Sequence, residues 1–148
     1  MTIKPTRTIN QAPDCKAALR AVAKYHYLTI NQLQAILGVT AYNQARNTLF
    51  SLWKGGFVER LILTMAARVL TYIYVFALSR HGANQICSSG QHRFFYLKPK
   101  DKRSTVFLEH TILINDFRIC LERLEGLVKG FHLESWKQTK QDVKVNLK

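Results

Sequence analysis

Helix starts and stops crowd the stretch from Thr29 to Gly56 so closely that only short, sharply turned helices fit there. Thr29-Ile30-Asn31-Gln32 is a capping box, in which the Thr29 hydroxyl accepts from the Gln32 N–H and the Gln32 side chain reaches back to the Thr29 N–H. The helix it opens carries Ile30, Leu33, Ile36 and Leu37 on one face and stops at Gly38, which enters the left-handed region at no steric cost. Thr40 is the expected N-cap of the next helix, which runs from about Ala41 to Lys54 and ends at Gly55-Gly56. Upstream, Pro13 and Asp14 suit a helix start, and Ala18, Leu19, Val22 and Ala23 recur at helical spacing before Tyr27-Leu28 ends that helix.

Two runs rich in β-branched and aromatic residues follow, Phe57 to Met65 and Arg68 to Leu78, close enough together to form a hairpin. Ser79 then caps a short helix over Arg80 to Cys87. A long helix is expected from Ser104 or Thr105 to about Leu124, and the tail from Phe131 onward is strand-like with no evident partner. Helix, short helix, turn, helix, Gly-Gly, strand, wing, strand is the layout of a winged helix-turn-helix. The expected fold class is α+β, mainly α: a winged helix-turn-helix with an added C-terminal long helix. Four segments follow: a flexible basic arm over 1–12, the DNA-binding domain over 13–90, a basic aromatic loop over 91–103, and a long helix with tail over 104–148 as a candidate dimerisation element.

In the third helix Ala45, Leu49, Leu52 and Trp53 share a face that can bury against the first two helices. Asn43, Asn47, Phe50, Ser51 and Lys54 then face outward, with Gln44 and Arg46 on the flanks. Asn, Gln and Arg are the side chains that make paired hydrogen bonds to adenine and guanine edges, with phosphate the alternative for Arg46; Lys54, Arg60 and Arg68 suit the backbone at the rim, and Thr40 is a further candidate DNA contact. The bland alternative is a solvated helix face. Charge favours the first reading: residues 1–100 hold thirteen Lys and Arg against only Asp14 and Glu59, whereas residues 101–148 hold nine against seven acids. Such a field concentrates polyanions, so double-stranded DNA is the expected partner.

The segment Arg93–Arg103 interleaves Phe94, Phe95 and Tyr96 with Lys98, Lys100, Lys102 and Arg103. The cations are candidate phosphate contacts, while the rings fit core packing better than base stacking. The long helix is apolar on two faces, one with Val106, Leu113, Phe117, Cys120, Leu121, Leu124 and Val128, the other with Phe107, Leu108, Ile112 and Ile119. One face can dock on the winged helix; the second set is assigned to a homodimer interface, since major-groove readers are often two-fold.

No catalytic constellation emerges, and no enzyme activity, metal or cofactor is expected. Glu109 and Asp116 share a helical face, yet His110 lies about 120° away around the helix, so it is expected to be packed and hydrogen-bonded. Phosphate-loop, dinucleotide and nucleophile-elbow phrases are missing. Cys15, Cys87 and Cys120 are odd in number and widely spaced, as in reduced, mostly buried thiols of a cytoplasmic protein. No apolar run approaches the roughly 18 residues of a membrane span, and Met1 to Pro13 lacks the apolar centre of a secretory signal.

Four phrases carry a resemblance. They are Leu28-Thr29-x-x-Gln32-Leu33; Leu52-x-x-x-Gly56-Phe57-Val58-x-Arg60; Phe76-Ala77-Leu78-x-x-x-Gly82; and Glu109-His110-x-x-Leu113-Ile114-Asn115-Asp116, the most telling. In these the chain resembles the replication-relaxation family of plasmid and integrative-element proteins. The resemblance spans about residues 15–136. It implies a winged-helix DNA binder tied to plasmid replication, relaxation or mobilisation, acting in transcription regulation or DNA transfer. Similar proteins continue into a nuclease-like part with a Pro-Asp and later acids; this chain runs to Lys148 without them, so no nuclease role is expected. The alternative from another class is a winged-helix protein-interaction module docking through the long helix.

Overall fold

The Pro13-Asp14 start and the apolar spacing after it produce α1 (Pro13–Tyr25), with Leu19, Val22 and Tyr25 fully buried. The structure, a computed structural model, describes residues 13–64, 71–87, 94–98, 100–136 and 146–147. The arm expected over 1–12 lies outside them. After α1 the chain turns through His26, whose φ of 69° is left-handed, into β1 (Tyr27–Thr29). This strand was not anticipated: three residues are too few to show a period-two pattern. The capping box forms as expected at the head of α2 (Ile30–Leu37), and Gly38 ends it at φ 66°.

The third helix, α3 (Tyr42–Lys54), is capped by Ala41, and no side chain hydrogen-bonds its first turn. Thr40 is therefore not its N-cap; it lies one residue too early, and its carbonyl accepts instead from Gln34 Nε2 at 3.0 Å. Gly56, at φ 79°, reverses the chain into β2 (Val58–Thr64), which pairs antiparallel with β3 (Tyr72–Leu78). β1 adds to the other edge of β3, giving the order β1-β3-β2. Ser79 caps α4 (Arg80–Ile86) through the Gly82 N–H, and its own hydroxyl donates to the Gly56 carbonyl at 2.6 Å. Gly82 is required here, because a Cβ would sit 2.0 Å from the Phe57 carbonyl oxygen. The Gly56-Phe57 and Leu78-x-x-x-Gly82 phrases are thus two halves of one contact.

Alternation along β2 and β3 sends two sets of side chains to opposite faces of the sheet. Val58, Phe76 and Leu78 join Leu19, Val22, Leu33, Leu49 and Leu52 in a core beneath α1, α2 and α3. Leu63, Val75 and Ala77 pack the other way, against Tyr27, Leu97 and Leu108. That second layer comes from the 94–98 segment and from α5 (Thr105–Leu127), which Ser104 caps. Phe94 and Tyr96 pack on the first core and Phe95 on the second, as expected of core rings. Past α5, β4 (Phe131–His132) pairs with β5 (Asn146–Leu147), the partner the tail lacked in sequence.

The two faces of α5 are used the other way round from the expectation. Leu108 and Ile119, assigned to a dimer interface, are 4% and 5% exposed inside the chain's own core, and Ile112 packs beside them. Phe107 stays exposed, with its ring edge-on to Tyr27 at 5.6 Å. Polar residues made the choice. Asn115, wholly buried on the same face, donates from Nδ2 to the carbonyls of Tyr25 at 3.2 Å and Tyr27 at 2.7 Å. Gln32 Nε2 donates to the Ile112 carbonyl at 2.9 Å and to Asp116 at 2.8 Å. Val106, Leu113, Phe117, Leu124 and Val128 are left in water. Of the three thiols, which form no disulfide, Cys15 is buried and Cys87 half-buried, but Cys120 is exposed, contrary to expectation. Among the described residues no helix is long and apolar enough to cross a membrane.

Candidate nucleic-acid interface

α3 buries Ala45, Thr48, Leu49 and Leu52, so the residues three to four positions away must face out. Asn43, Arg46, Asn47, Ser51 and Lys54 are all exposed there, as their spacing predicts. Gln44 is exposed as well, but its Nε2 donates to Asp14 at 3.2 Å, which ties it to the start of α1. No carboxylate stands on this helix, and Glu59 in β2 alternates to the opposite face of the sheet from Arg60. The result is a cationic, amide-bearing ridge.

Beside the ridge lies a surface that sequence reasoning missed. Arg60, Ile62 and Thr64 in β2 face the same way as their partners Phe76, Tyr74 and Tyr72 in β3. Phe50 bridges from α3 to this surface, with ring centroids 5.9 Å from Trp53 and 5.6 Å from Tyr74. The Arg60 guanidinium lies 3.8 Å from the Trp53 ring centroid and 4.7 Å from that of Tyr74, and Arg46 lies 4.6 Å from that of Phe50. Each such contact is worth about 0.5–1 kcal/mol at a half-exposed site. A guanidinium carries five N–H donors, so one held over a ring can also bond phosphate or a base. Ile62 and Tyr72 remain more than half exposed. A shallow groove of about 530 Å³ runs along Arg46, Asn47, Phe50, Ser51, Trp53 and Lys54. Another, of about 550 Å³, opens between Arg46, Tyr42 and the β3 tyrosines. The period-two placement of Tyr72, Tyr74 and Phe76 was visible in the sequence, but only the strand register puts Arg60 and Ile62 across from them.

The remaining expected contacts do not converge here. Lys98, Lys100 and Lys102 are exposed, but Leu97 beside them packs on the sheet face opposite α3. Arg103 donates from Nε to the Tyr27 hydroxyl at 2.8 Å and stacks on Phe107, so it secures the start of α5. Thr40 is exposed just before α3, and Arg68 lies outside the described residues.

The acidic phrase on α5 resolves into structure. Asp116 accepts from Gln32, Asn115 clamps the α1–β1 turn, and His110, expected to be packed, is exposed. Nearby, Glu122 accepts from the Tyr25 hydroxyl and pairs with Lys24 and Arg118 at 3.0 Å each. Desolvation pushes its carboxyl up, yet hydrogen bonds from Tyr25, Lys24 and Arg118 outweigh burial and hold it below the usual range. Burial, with the Arg118 charge, pushes His26 down. Among the described residues no three His, Cys, Asp or Glu gather as a metal site requires.

No curated protein and no solved structure matches the chain. A family model described as replication-relaxation matches residues 19–147, including every phrase quoted above. The chain therefore belongs to the replication-relaxation family.

Proposed function

We propose that this protein binds double-stranded DNA with sequence preference, as a homodimer, and that it acts by binding rather than by catalysis. α3 enters the major groove, where Asn43, Asn47 and Arg46 read base edges. Lys54 and Arg60 grip the backbone. One observation carries this reading: an exposed face of amides and cations, free of carboxylates on α3, continuous with an Arg-stacked hairpin surface. The formal charge of +13 supports it, because counterion release drives such association. Family membership supports a role in plasmid replication or relaxation. The finer assignment, to regulating transcription, replication, relaxation or transfer through a specific site, rests on the α3 face.

The test is anisotropy of the full chain on a duplex selected from a random pool and on unselected DNA, across a salt series. Affinity should fall steeply with log salt. Asn43→Ala and Asn47→Ala should each lose about 1–3 kcal/mol on the selected duplex and little on random DNA. Equal loss on both would make them phosphate contacts. A flat salt dependence would refute DNA binding and leave the protein-docking module as the function.

A further inference from the structure

The apolar residues that α5 leaves in water follow a coiled-coil repeat. Val106, Leu113, Cys120 and Leu127 recur every seven residues, and His110, Phe117 and Leu124 fall between them at alternating steps of four and three. All seven are exposed, Leu127 to 78% and Val106 to 74%. This strip lies diametrically opposite the docked face of Leu108, Thr111, Asn115 and Ile119. Among the described residues Trp136 approaches the strip at Phe117, with ring centroids 6.3 Å apart. From Val106 to Leu127 the seam is about 32 Å long. Soluble monomers seldom leave so long a contiguous apolar strip in water.

We infer that α5 pairs with α5 of a second copy as an antiparallel two-stranded coiled coil along this seam. The flanking charges set the orientation. Glu109, Asp116 and Arg123 occupy the same heptad position on one side of the seam. In an antiparallel pair these positions meet each other across the axis, so Glu109 faces Arg123 of the second copy, twice by symmetry. In a parallel pair they would meet Ile114 and Leu121, with no charge to pair. The register that joins Glu109 to Arg123 also stacks Phe117 on Leu113, Leu124 on Val106, and the polar His110 on Cys120. The same register sets Asp116 opposite Asp116 of the second copy at the two-fold axis, a like-charge contact offset by the Gln32 Nε2 donor 2.8 Å from the carboxylate. The inference rests on the homodimer reading and deepens it, naming the surface and the orientation; it does not depend on DNA binding.

Sedimentation velocity of the full chain at tens of micromolar tests it, with circular dichroism confirming that each variant stays folded. The wild type should sediment as a dimer and Leu113→Glu, at a site 67% exposed, as a folded monomer. Glu109→Arg should weaken the dimer roughly fivefold or more by setting like charges against each other, and Glu109→Arg with Arg123→Glu should restore it. A monomeric wild type would overturn both the seam and the homodimer. A dimer indifferent to Leu113→Glu would overturn the seam alone. A double variant no stronger than Glu109→Arg would overturn the antiparallel orientation.

Discussion

Replacing Asn115 with Ala should uncouple α5 from the α1–β1 turn at a predictable cost. The side chain is 0% exposed and its Nδ2 donates to two backbone carbonyls, those of Tyr25 and Tyr27, at the point where α1 gives way to β1. Each lost hydrogen bond removes about 1 kcal/mol net, and carbonyls left unpaired in the interior cost about another 1 kcal/mol between them. These sum to about 3 kcal/mol before any small cavity is counted. For a chain of this length that is a fall in melting temperature of roughly 10 °C. Urea unfolding followed by circular dichroism would measure it as a lower midpoint at unchanged slope. Asn115→Asp gives a sharper version, because it keeps the shape and sets a carboxylate against two carbonyl oxygens. The introduced carboxyl should titrate well above its unfolded value of about 3.9 in the folded state. The variant should therefore be least impaired in acid and lose stability as pH rises through that raised pKa. A loss below about 1 kcal/mol for Asn115→Ala would refute the clamp, as would a pH-independent loss for Asn115→Asp.

Other outcomes follow from the same contacts. Gly82→Ala should cost at least about 3 kcal/mol, since its Cβ would meet the Phe57 backbone at 2.0 Å, whereas Gly126→Ala, with open space around it in α5, should stabilise by about 0.5–1 kcal/mol; thermal melts compare the two. His26 is held below its ordinary pKa by burial and by Arg118, so its contribution to stability is intact above about pH 6.5 and is lost as pH falls toward the folded value. His26→Asn, which tolerates the left-handed backbone, should flatten the stability–pH curve there in urea titrations. Glu122, whose carboxyl is depressed by its partners, contributes stability above about pH 4.3 that disappears in stronger acid. Glu122→Gln should abolish that step while costing no more than about 1 kcal/mol at neutral pH, because Lys24 is half exposed and solvent screens the pair.

The signals that were legible in the sequence are those satisfied within a few residues. Thr29 and Gln32 close their box, and Gly38 and Gly56 take positive φ, because both the demand and the answer lie in one turn of chain. The outward face of α3 was legible for the same reason, since Leu49 and Leu52 fix which side is buried. Even locally, one residue of slippage moved the cap from Thr40 to Ala41, which no side-chain hydrogen bond marks.

What tertiary structure alone decided involves partners far apart in the chain. β1 exists because Val75, Phe76 and Ala77 present an open edge to Tyr27, Leu28 and Thr29, and three residues carry no pattern by themselves. Arg60 became part of an aromatic surface only when strand register set it beside Tyr74 and helix packing brought up Trp53. The face by which α5 docks was not decided by the hydrophobic pattern. Two apolar stripes of similar weight give periodicity nothing to choose between. Asn115 and Gln32 broke the tie, because a buried amide must find acceptors for its N–H groups, and the carbonyls of Tyr25, Tyr27 and Ile112 supply them on this face alone of the two described.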